Sequence, residues 1–286
     1  MGGPSAERDV SLRSGAAVAK GLREAGYGVT EVDVKGYDLE IPAGVEAVFV
    51  ALHGEFGEDG RVQAILNRKG VPYTGSGTEA SRASFDKVIS KERCAKAGIP
   101  TPEYEILRKG GKRSLSFPLV IKPACQGSSI GVHKVLAESD WDAAAKDALT
   151  YDERVIVERY IPGRELTVSV VGDEALPVVE IVAPEGWYDT KAKYTAGACQ
   201  YRVPAPLDEG VRRRCQDLAV RMFKALGCRG FGRVDFRLSP ARDLFVLELN
   251  NIPGFTETSL LPKAAAQAGM TFSALCDRIM GMARTD

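Results

Sequence analysis

Three oxygen-bearing side chains towards the end of the sequence could hold a metal ion. Asp235 lies in the apolar stretch 232–236, and Glu248 and Asn250 follow the short apolar run 244–247. Side chains alternate along a strand, so Glu248 and Asn250 share one face, and a neighbouring strand would bring Asp235 beside them. Carboxylate and amide oxygens suit Mg²⁺, which keeps few protein ligands and leaves positions for substrate phosphates. The alternative is a solvated cluster at two strand ends, since Asp and Glu are usually on the surface.

A second set of residues is suited to binding phosphate. Lys122 interrupts an apolar run, and Gly127-Ser-Ser-Ile-Gly131 follows it. Glycines let backbone N–H groups approach an anion, and a lysine in this setting could be aimed at nucleotide phosphates. Arg233, next to the candidate metal site, would face the same phosphates or a developing anion. The alternatives are a plain turn and a lysine whose ammonium group reaches the surface.

Other charged segments could contact a substrate. Glu158 and Glu165 flank a turn whose backbone could read an adenine edge while Glu165 holds ribose hydroxyls, and a salt-bridged hairpin is the alternative. The loop 186–204 contains lysines and tyrosines that could close over a charged transition state or simply form an exposed basic loop. Glu7 could receive a substrate ammonium group or cap a helix.

The composition is that of a soluble globular protein. The chain has 286 residues, 44% hydrophobic and 27% charged, with a formal net charge of zero. A neutral chain gives no reason to expect nucleic acid or a membrane as a partner, and no apolar stretch approaches the length of about 18 residues needed to span a bilayer. The six cysteines are scattered, which indicates reduced thiols in a cytoplasmic protein, and two histidines make a histidine-built metal site unexpected.

The apolar pattern predicts helices alternating with strands in the N-terminal part. Ser11 would cap a helix that ends near Ala25, strands would follow at 28–34 and 46–52, and another helix would begin near Arg61. This alternation predicts a parallel α/β sheet, in which ligands gather beyond the carboxyl ends of the strands.

The rest of the chain is predicted to add further strands and helices. Residues 154–160 read as a strand, and residues 165–171 as its hairpin partner. The remaining predicted elements are a helix at 84–97, a strand at 118–123, and helices at 211–226 and 264–282.

Taken together, the motifs of this chain resemble those of D-alanine–D-alanine ligases over essentially the whole length. They occur in the order of that family: Gly2-Gly-x-Ser-Ala-Glu-Arg, His53-Gly-x-x-Gly-Glu-Asp-Gly60, Pro72-Tyr-Thr-Gly-Ser-Gly77, Asp86-Lys87, Lys122-Pro, Gly127-Ser-Ser, Tyr188-Asp…Lys193-Tyr194, Arg233-x-Asp235 and Glu248-x-Asn250…Pro253-Gly254-x-Thr…Ser259-Leu260.

The resemblance implies the ATP-grasp fold, α/β and α+β, in which ATP lies between two α+β domains behind a parallel α/β N-terminal domain. The implied division is an N-terminal α/β domain at 1–75, a central ATP-grasp subdomain at 76–158, and a C-terminal subdomain at 159–286 with the metal site and a mobile loop at 186–204. The implied activity is ATP-dependent ligation of two D-alanines through an acyl phosphate, for peptidoglycan precursor synthesis.

The resemblance also assigns roles to individual residues. Glu7, Ser128 and Tyr194 would form a hydrogen-bonded set that closes the loop, and Arg233 with the backbone near Gly254 would stabilise an oxyanion. Two Mg²⁺ ions, with Mn²⁺ as a substitute, would bind Asp235, Glu248 and Asn250. The ATP-binding residues would be Lys87, Lys122, Glu158, Ile161, Glu165 and Lys193. The substrate-binding residues would be Glu7, His53, Ser259 and Leu260.

The chain departs from the family pattern in three places. Family members begin with a strand of roughly five or six residues before Gly-Gly, whereas Met1 immediately precedes Gly2, so we expect a start assigned too late or a truncation that removes the first strand. Gln126 stands where Glu is common. Thr190 and Lys191 stand where Tyr-Glu is common, so the loop gains positive charge.

Two other functions remain open at this point. An ATP-grasp ligase could use D-serine or D-lactate as its second substrate, although Tyr194 resembles the residue of dipeptide-forming rather than depsipeptide-forming enzymes. A nucleotide-binding pseudoenzyme is the other possibility, and the complete set of metal ligands argues against it. The family further implies a cytoplasmic homodimer that binds D-alanine and ATP.

Overall fold

Helices and antiparallel strands make up most of the computed structural model, which describes residues 1–184 and 199–286. The helices are α1 (Arg8–Glu24), α2 (Arg61–Arg68), α3 (Thr78–Phe85), α4 (Lys87–Lys96), α5 (Glu138–Tyr151), α6 (Glu209–Ala225), α7 (Leu260–Gln267) and α8 (Phe272–Met280). The strands are β1 (Tyr104–Arg108), β2 (Leu119–Pro123), β3 (His133–Val135), β4 (Arg154–Arg159), β5 (Arg164–Val171), β6 (Glu174–Ala175), β7 (Val179–Val182), β8 (Gln200–Arg202), β9 (Phe231–Leu238) and β10 (Leu244–Asn250).

The central sheet is antiparallel, with strand order β1-β4-β2-β3. Every residue of β2 is buried, Lys122 included, as expected for a mainly apolar strand that is covered on both faces. Leu119 and Ile121 pack with Ala148 of α5 on one face. Ile156 of β4 packs with Val88 of α4 in a separate small cluster. The sheet is therefore enclosed between two helices, and its Lys122 lies in a buried strand.

The C-terminal sheet has the order β10-β9-β5-β7-β8 within the described residues, and β6 pairs with β5. The prediction that 165–171 is the hairpin partner of 154–160 is wrong, because β5 pairs with β6, β7 and β9 and belongs to the other sheet. The last six residues of β5 are all buried. A strand that is buried on both faces needs neighbours on both edges and a helix above it, and α6 supplies that cover.

The N-terminal part pairs its extended segments in parallel, but only through single bridges. Val34 pairs with Gly2, and Val48 pairs with Tyr73. The segments 28–34 and 46–52, which were predicted to be strands, are each paired at a single residue, Val34 and Val48, and neither forms a continuous strand. The segments pack on α1, α7 and α8 in one apolar core that includes Val18, Leu261 and Leu275.

Three element boundaries differ from the sequence predictions. Ser11 does not cap a helix, because α1 begins at Arg8 and the buried Ser11 hydroxyl donates a hydrogen bond to the Ala51 carbonyl at 2.6 Å. The helix predicted at 84–97 is divided at Asp86, whose carboxylate accepts from Val88 N–H and caps α4. Within the predicted loop 186–204, residues 200–202 form β8 against β7; residues 186–198 lie outside the described part of the chain.

Within residues 1–184 and 199–286, none of the helices combines the length and apolar character needed to cross a membrane.

Candidate active site

A cleft of about 600 Å³ lies between the two sheets and collects nearly all the described residues that the sequence singled out. Those that line it are Glu7, Lys87, Lys122, Ser128, Glu158, Ile161, Glu165, Arg233, Asp235, Glu248, Asn250, Gly254, Ser259 and Leu260. Lys193 and Tyr194 lie outside the described residues. The cleft has an acidic end, a lysine-lined wall, a glycine-rich loop and a helix N-terminus.

The acidic end is built by β9 and β10, which pair antiparallel so that Glu248 lies opposite Asp235 and Asn250 opposite Arg233. A register shift between Val246 and Glu248 marks a β-bulge just before the two ligand candidates. A bulge re-aims the side chains that follow it, and bulges are common beside active sites. The predicted pairing of these two strands is confirmed.

Asp235 is held in place before any ligand arrives. Arg233 donates two hydrogen bonds of 2.8 Å to its two carboxylate oxygens, and the buried Thr167 hydroxyl donates a third at 2.6 Å. Lys87 Nζ is 3.6 Å from a Glu248 oxygen. Each carboxylate therefore already has a cationic neighbour, which limits like-charge repulsion between them.

The chemistry of this donor set fits a magnesium ion. Among the described residues no group of three or more His, Cys, Asp or Glu side chains is placed to hold a metal. Asp235, Glu248 and Asn250 instead offer two carboxylates and one amide oxygen, and the Asn250 oxygen accepts a hydrogen bond from Ile252 N–H at 3.1 Å. Mg²⁺ is commonly bound through one or two carboxylates plus substrate phosphates, so a sparse oxygen set is adequate.

The lysine-lined wall centres on Glu158, whose two oxygens each lie 2.6 Å from an ammonium group, one from Lys122 and one from Lys91. Burial of the Glu158 carboxyl opposes its ionisation, but the two lysines outweigh burial and hold its pKa below the ordinary value. Burial lowers the pKa of Lys91, while Glu158 opposes the loss of its proton. Glu158 thus acts through its side chain on lysines, in addition to any backbone contact with a base.

The turn between β4 and β5 is fixed by Arg237 of β9, a residue that the sequence reasoning missed. Its buried guanidinium donates to the Ile161 carbonyl at 3.1 Å, to the Gly163 carbonyl at 3.0 Å and to a Glu165 oxygen at 3.1 Å. Arg237 therefore joins the two residues, Ile161 and Glu165, that were predicted to hold adenine and ribose.

The glycine-rich loop brings the central sheet into contact with the N-terminal part. Ser128 Oγ donates a hydrogen bond to the Glu7 carboxylate, as the resemblance implied for this pair. A Cβ on Gly127 would lie 2.7 Å from Glu7 Oε2, and one on Gly54 would lie 2.8 Å from the same atom. Glycine at both positions is what lets the carboxylate sit between them. Lys87 Nζ donates to the Gln126 carbonyl at 2.6 Å, at the start of this loop.

The helix N-terminus that lines the cleft belongs to α7. Ser259 is its N-cap residue, with extended backbone, and its hydroxyl makes no capping bond to the first turn. That hydroxyl accepts instead from Thr256 N–H at 3.0 Å, close to Gly254. The first-turn N–H groups of a helix favour an anion such as a carboxylate.

His53 is not among the described residues that line the cleft. Its ring is 3% exposed and lies 2.9 Å from the Ile252 carbonyl through Nδ1 and 2.9 Å from Ser14 Oγ through Nε2. The imidazole therefore links α1 to the segment after β10. Its role as a substrate contact stays a prediction.

The chain has two α+β units, each with an antiparallel sheet, and a cleft between them that is lined with lysines and carboxylates. This arrangement is that of the ATP-grasp class of ligases, and similar solved structures confirm the fold. The family model described as "D-ala D-ala ligase C-terminus" matches residues 94–281, and "D-ala D-ala ligase N-terminus" matches residues 36–76. The chain belongs to the D-alanine–D-alanine ligase family.

Individual relatives support the same assignment over nearly full length. The chain is 46% identical to a D-alanine–D-alanine ligase of Syntrophotalea carbinolica, covering 98% of this chain and 93% of the relative. It is 46% identical to one of Desulforudis audaxviator, covering 99% and 97%. Two crystal structures of the Bacillus anthracis enzyme are similar, one with TM-score 0.86 at 32% identity (99% and 95% covered) and one complexed with ATP with TM-score 0.85 at 29% identity (99% and 94% covered).

Proposed function

We propose that this protein is an ADP-forming ligase that joins two D-alanines into D-alanyl-D-alanine, a precursor for peptidoglycan. The observation that carries the proposal is the full-length similarity to D-alanine–D-alanine ligases together with a cleft in which the corresponding motifs meet. The similar Bacillus anthracis structure that contains ATP supports ATP as the energy source.

The first step is phosphoryl transfer to the donor substrate. A carboxylate oxygen of the first D-alanine attacks the γ-phosphorus of ATP, the bond to the bridging oxygen breaks, and ADP leaves. Lys122 and Lys87 lie on the cleft wall where they can neutralise phosphate charge, and Glu165 with the turn around Ile161 would hold ribose and adenine. Glu7 would receive the ammonium group of this D-alanine, held in place by Ser128.

The second step forms the peptide bond. The neutral amine of the second D-alanine attacks the acyl-phosphate carbonyl, a tetrahedral oxyanion forms, and inorganic phosphate leaves as the amine gives up its proton. Arg233 and Gly254 both line the cleft, and the Arg233 guanidinium with the backbone N–H groups near Gly254 would stabilise the oxyanion. Ser259 and Leu260, at the N-terminus of α7, would bind the carboxylate of the second substrate.

Asp235, Glu248 and Asn250 would hold Mg²⁺, with Mn²⁺ as a substitute. When bound, two such ions would neutralise charge on the transferred phosphoryl group. The hydrogen bonds from Arg233 and Thr167 keep the Asp235 carboxylate oriented for this purpose. Lys193 as a phosphate contact, and Tyr194 as the third member of the set with Glu7 and Ser128, stay predictions.

The remaining expectations concern the whole protein in the cell. We infer a cytoplasmic location from the biosynthetic role, and a homodimer from the family resemblance. Sedimentation velocity of the purified protein measures the second directly.

The decisive experiment is phosphate release from ATP and Mg²⁺ with D-alanine, L-alanine, D-serine and D-lactate offered singly and in pairs. Release with D-alanine alone, with the dipeptide detected by mass spectrometry, supports the proposal. Release only with D-serine or D-lactate as second substrate would keep the reaction type and reject the proposed specificity. Binding of ATP without amino-acid-dependent turnover would point to a pseudoenzyme.

A further inference from the structure

Lys91 is a buried charged residue outside the set described above for the reaction. It lies on α4, its side chain is 2% exposed, and its ammonium group is 2.6 Å from one oxygen of Glu158. The other Glu158 oxygen is 2.6 Å from Lys122, whose side chain is 7% exposed. One carboxylate thus lies between two ammonium groups, and all three side chains are buried.

This arrangement leaves the wall with a surplus positive charge. Two ammonium groups and one carboxylate sum to one positive charge, and an uncompensated charge in the interior is costly. The positive charge of Lys91 is enclosed by protein: its ammonium group donates a hydrogen bond to the Thr101 hydroxyl and lies 5.5 Å from the centre of the Tyr104 ring. Lys122, by contrast, lines the cleft. The surplus charge is therefore presented to the cleft at Lys122.

We propose that Lys91 is a positioning residue for nucleotide phosphates: it occupies one oxygen of Glu158, so that Glu158 orients Lys122 without cancelling its charge. The inference rests on the proposed function, because it takes the anion opposite Lys122 to be the phosphate chain of ATP. Lys91 itself is not among the described residues that line the cleft. Its effect passes through Glu158 to Lys122.

The charge count separates this role from simple core packing. Replacing Lys91 with methionine keeps a long apolar stem. The remaining Glu158–Lys122 pair is neutral, so this part of the wall attracts phosphate less strongly while the pair stays compensated. Replacing Glu158 with glutamine in the same protein leaves Lys122 as the one charge in this trio and restores the surplus. A packing role predicts the opposite order, with the double variant more damaged than the single variant.

The experiment compares ATP with adenosine, which has the same base and ribose but no phosphate. Binding of both is measured by calorimetry or competition for the wild type, K91M, K91M/E158Q and K96M. Lys96, exposed on the same helix, is the matched control for loss of one positive charge. We expect K91M to bind ATP about tenfold more weakly, with adenosine affinity within about twofold of wild type, because only a phosphate responds to the lost charge.

The double variant supplies the second arm. The ratio of ATP affinity to adenosine affinity returns towards the wild-type value in K91M/E158Q, and K96M leaves the ratio unchanged. If K91M does not fold, the ratio in the double variant still tests the charge count. Three results would overturn this inference while leaving the proposed function intact. They are an equal loss of ATP and adenosine affinity in K91M, an unchanged ATP affinity in K91M, and an affinity ratio in the double variant that is lower than in K91M. A wild-type protein that binds no ATP overturns the proposed function as well.

Discussion

Replacing Gly127 with alanine places a methyl group against the Glu7 carboxylate. The new Cβ would lie 2.7 Å from Glu7 Oε2, whereas ordinary contact begins near 3.4 Å, so the carboxylate has to move by about 0.7 Å. Gly127 does not have a positive φ, and alanine adds no backbone strain there. Because the atom that must yield is the end of a flexible side chain, we expect stability to change by less than about 0.5 kcal/mol.

The same displacement is large on the scale of catalysis. A misplacement of about 1 Å can lower a rate by about 100-fold, so a shift of this size in the group that receives the D-alanine ammonium should lower kcat/KM for D-alanine by about tenfold or more. The KM for ATP should change less than the KM for D-alanine, because the added methyl group contacts Glu7 and leaves Lys122 and Glu158 in place.

The assay is ADP release at saturating ATP with D-alanine varied, beside denaturant unfolding. Gly28→Ala is the matched control, since its added Cβ has open space and its φ is not positive. Gly127→Ala with wild-type kcat/KM would refute the placement of the substrate amine at Glu7. A loss of activity that follows a comparable loss of unfolding free energy would refute the claim that the effect is local.

Three further predictions follow from the packing and charges of the site. Thr167→Val removes the buried hydroxyl that orients Asp235 and should destabilise the protein by about 1 kcal/mol. It should also raise the Mg²⁺ concentration needed for half-maximal activity. An unchanged Mg²⁺ requirement would contradict this role of Thr167. The pKa of Glu158 is lowered in the folded protein, so its contribution to stability is complete above the ordinary carboxyl pKa of 4.5 and is lost as pH falls through the folded pKa. The difference in unfolding free energy between wild type and E158Q should therefore shrink from neutral pH to about pH 3. A constant difference would count against the ion pairs. The Phe223 ring on α6 is 1% exposed and covers the C-terminal sheet, so Phe223→Ala opens a cavity there. The free energy of unfolding, measured by chemical denaturation, should fall by about 3 to 5 kcal/mol. A fall of less than about 1 kcal/mol would show that α6 does not pack on the sheet at this residue.

The acidic end of the cleft was predictable because its information is local. Asp235, Glu248 and Asn250 each end a short apolar run, and strands close in sequence usually pair, so placing them side by side needed only the two-residue period of a strand. Arg237 was within reach of the same argument, since it lies two residues after Asp235 on the same strand.

The missed features depend on contacts between distant parts of the chain. Lys91 lies between polar neighbours in a helix, and no local pattern shows that its side chain is buried against Glu158, which is 67 positions away in the sequence. The assignment of β5 to the wrong sheet has the same origin. The short turn at Pro162-Gly163 favours a hairpin, and only the burial of both faces of β5 reveals that its partners come from later in the chain.

The contact between Glu7 and Ser128 has a thermodynamic consequence for the order of events in the cleft. Glu7 lies next to the start of α1, and Ser128 lies in the loop that follows β2. The hydrogen bond between them therefore joins the proposed binding site for the first D-alanine to the loop on the nucleotide side of the cleft. The ligand that binds first restricts the motion of both segments, so the second ligand loses less conformational entropy when it binds. This coupling is reciprocal. We therefore expect nucleotide and D-alanine to raise each other's affinity by the same factor.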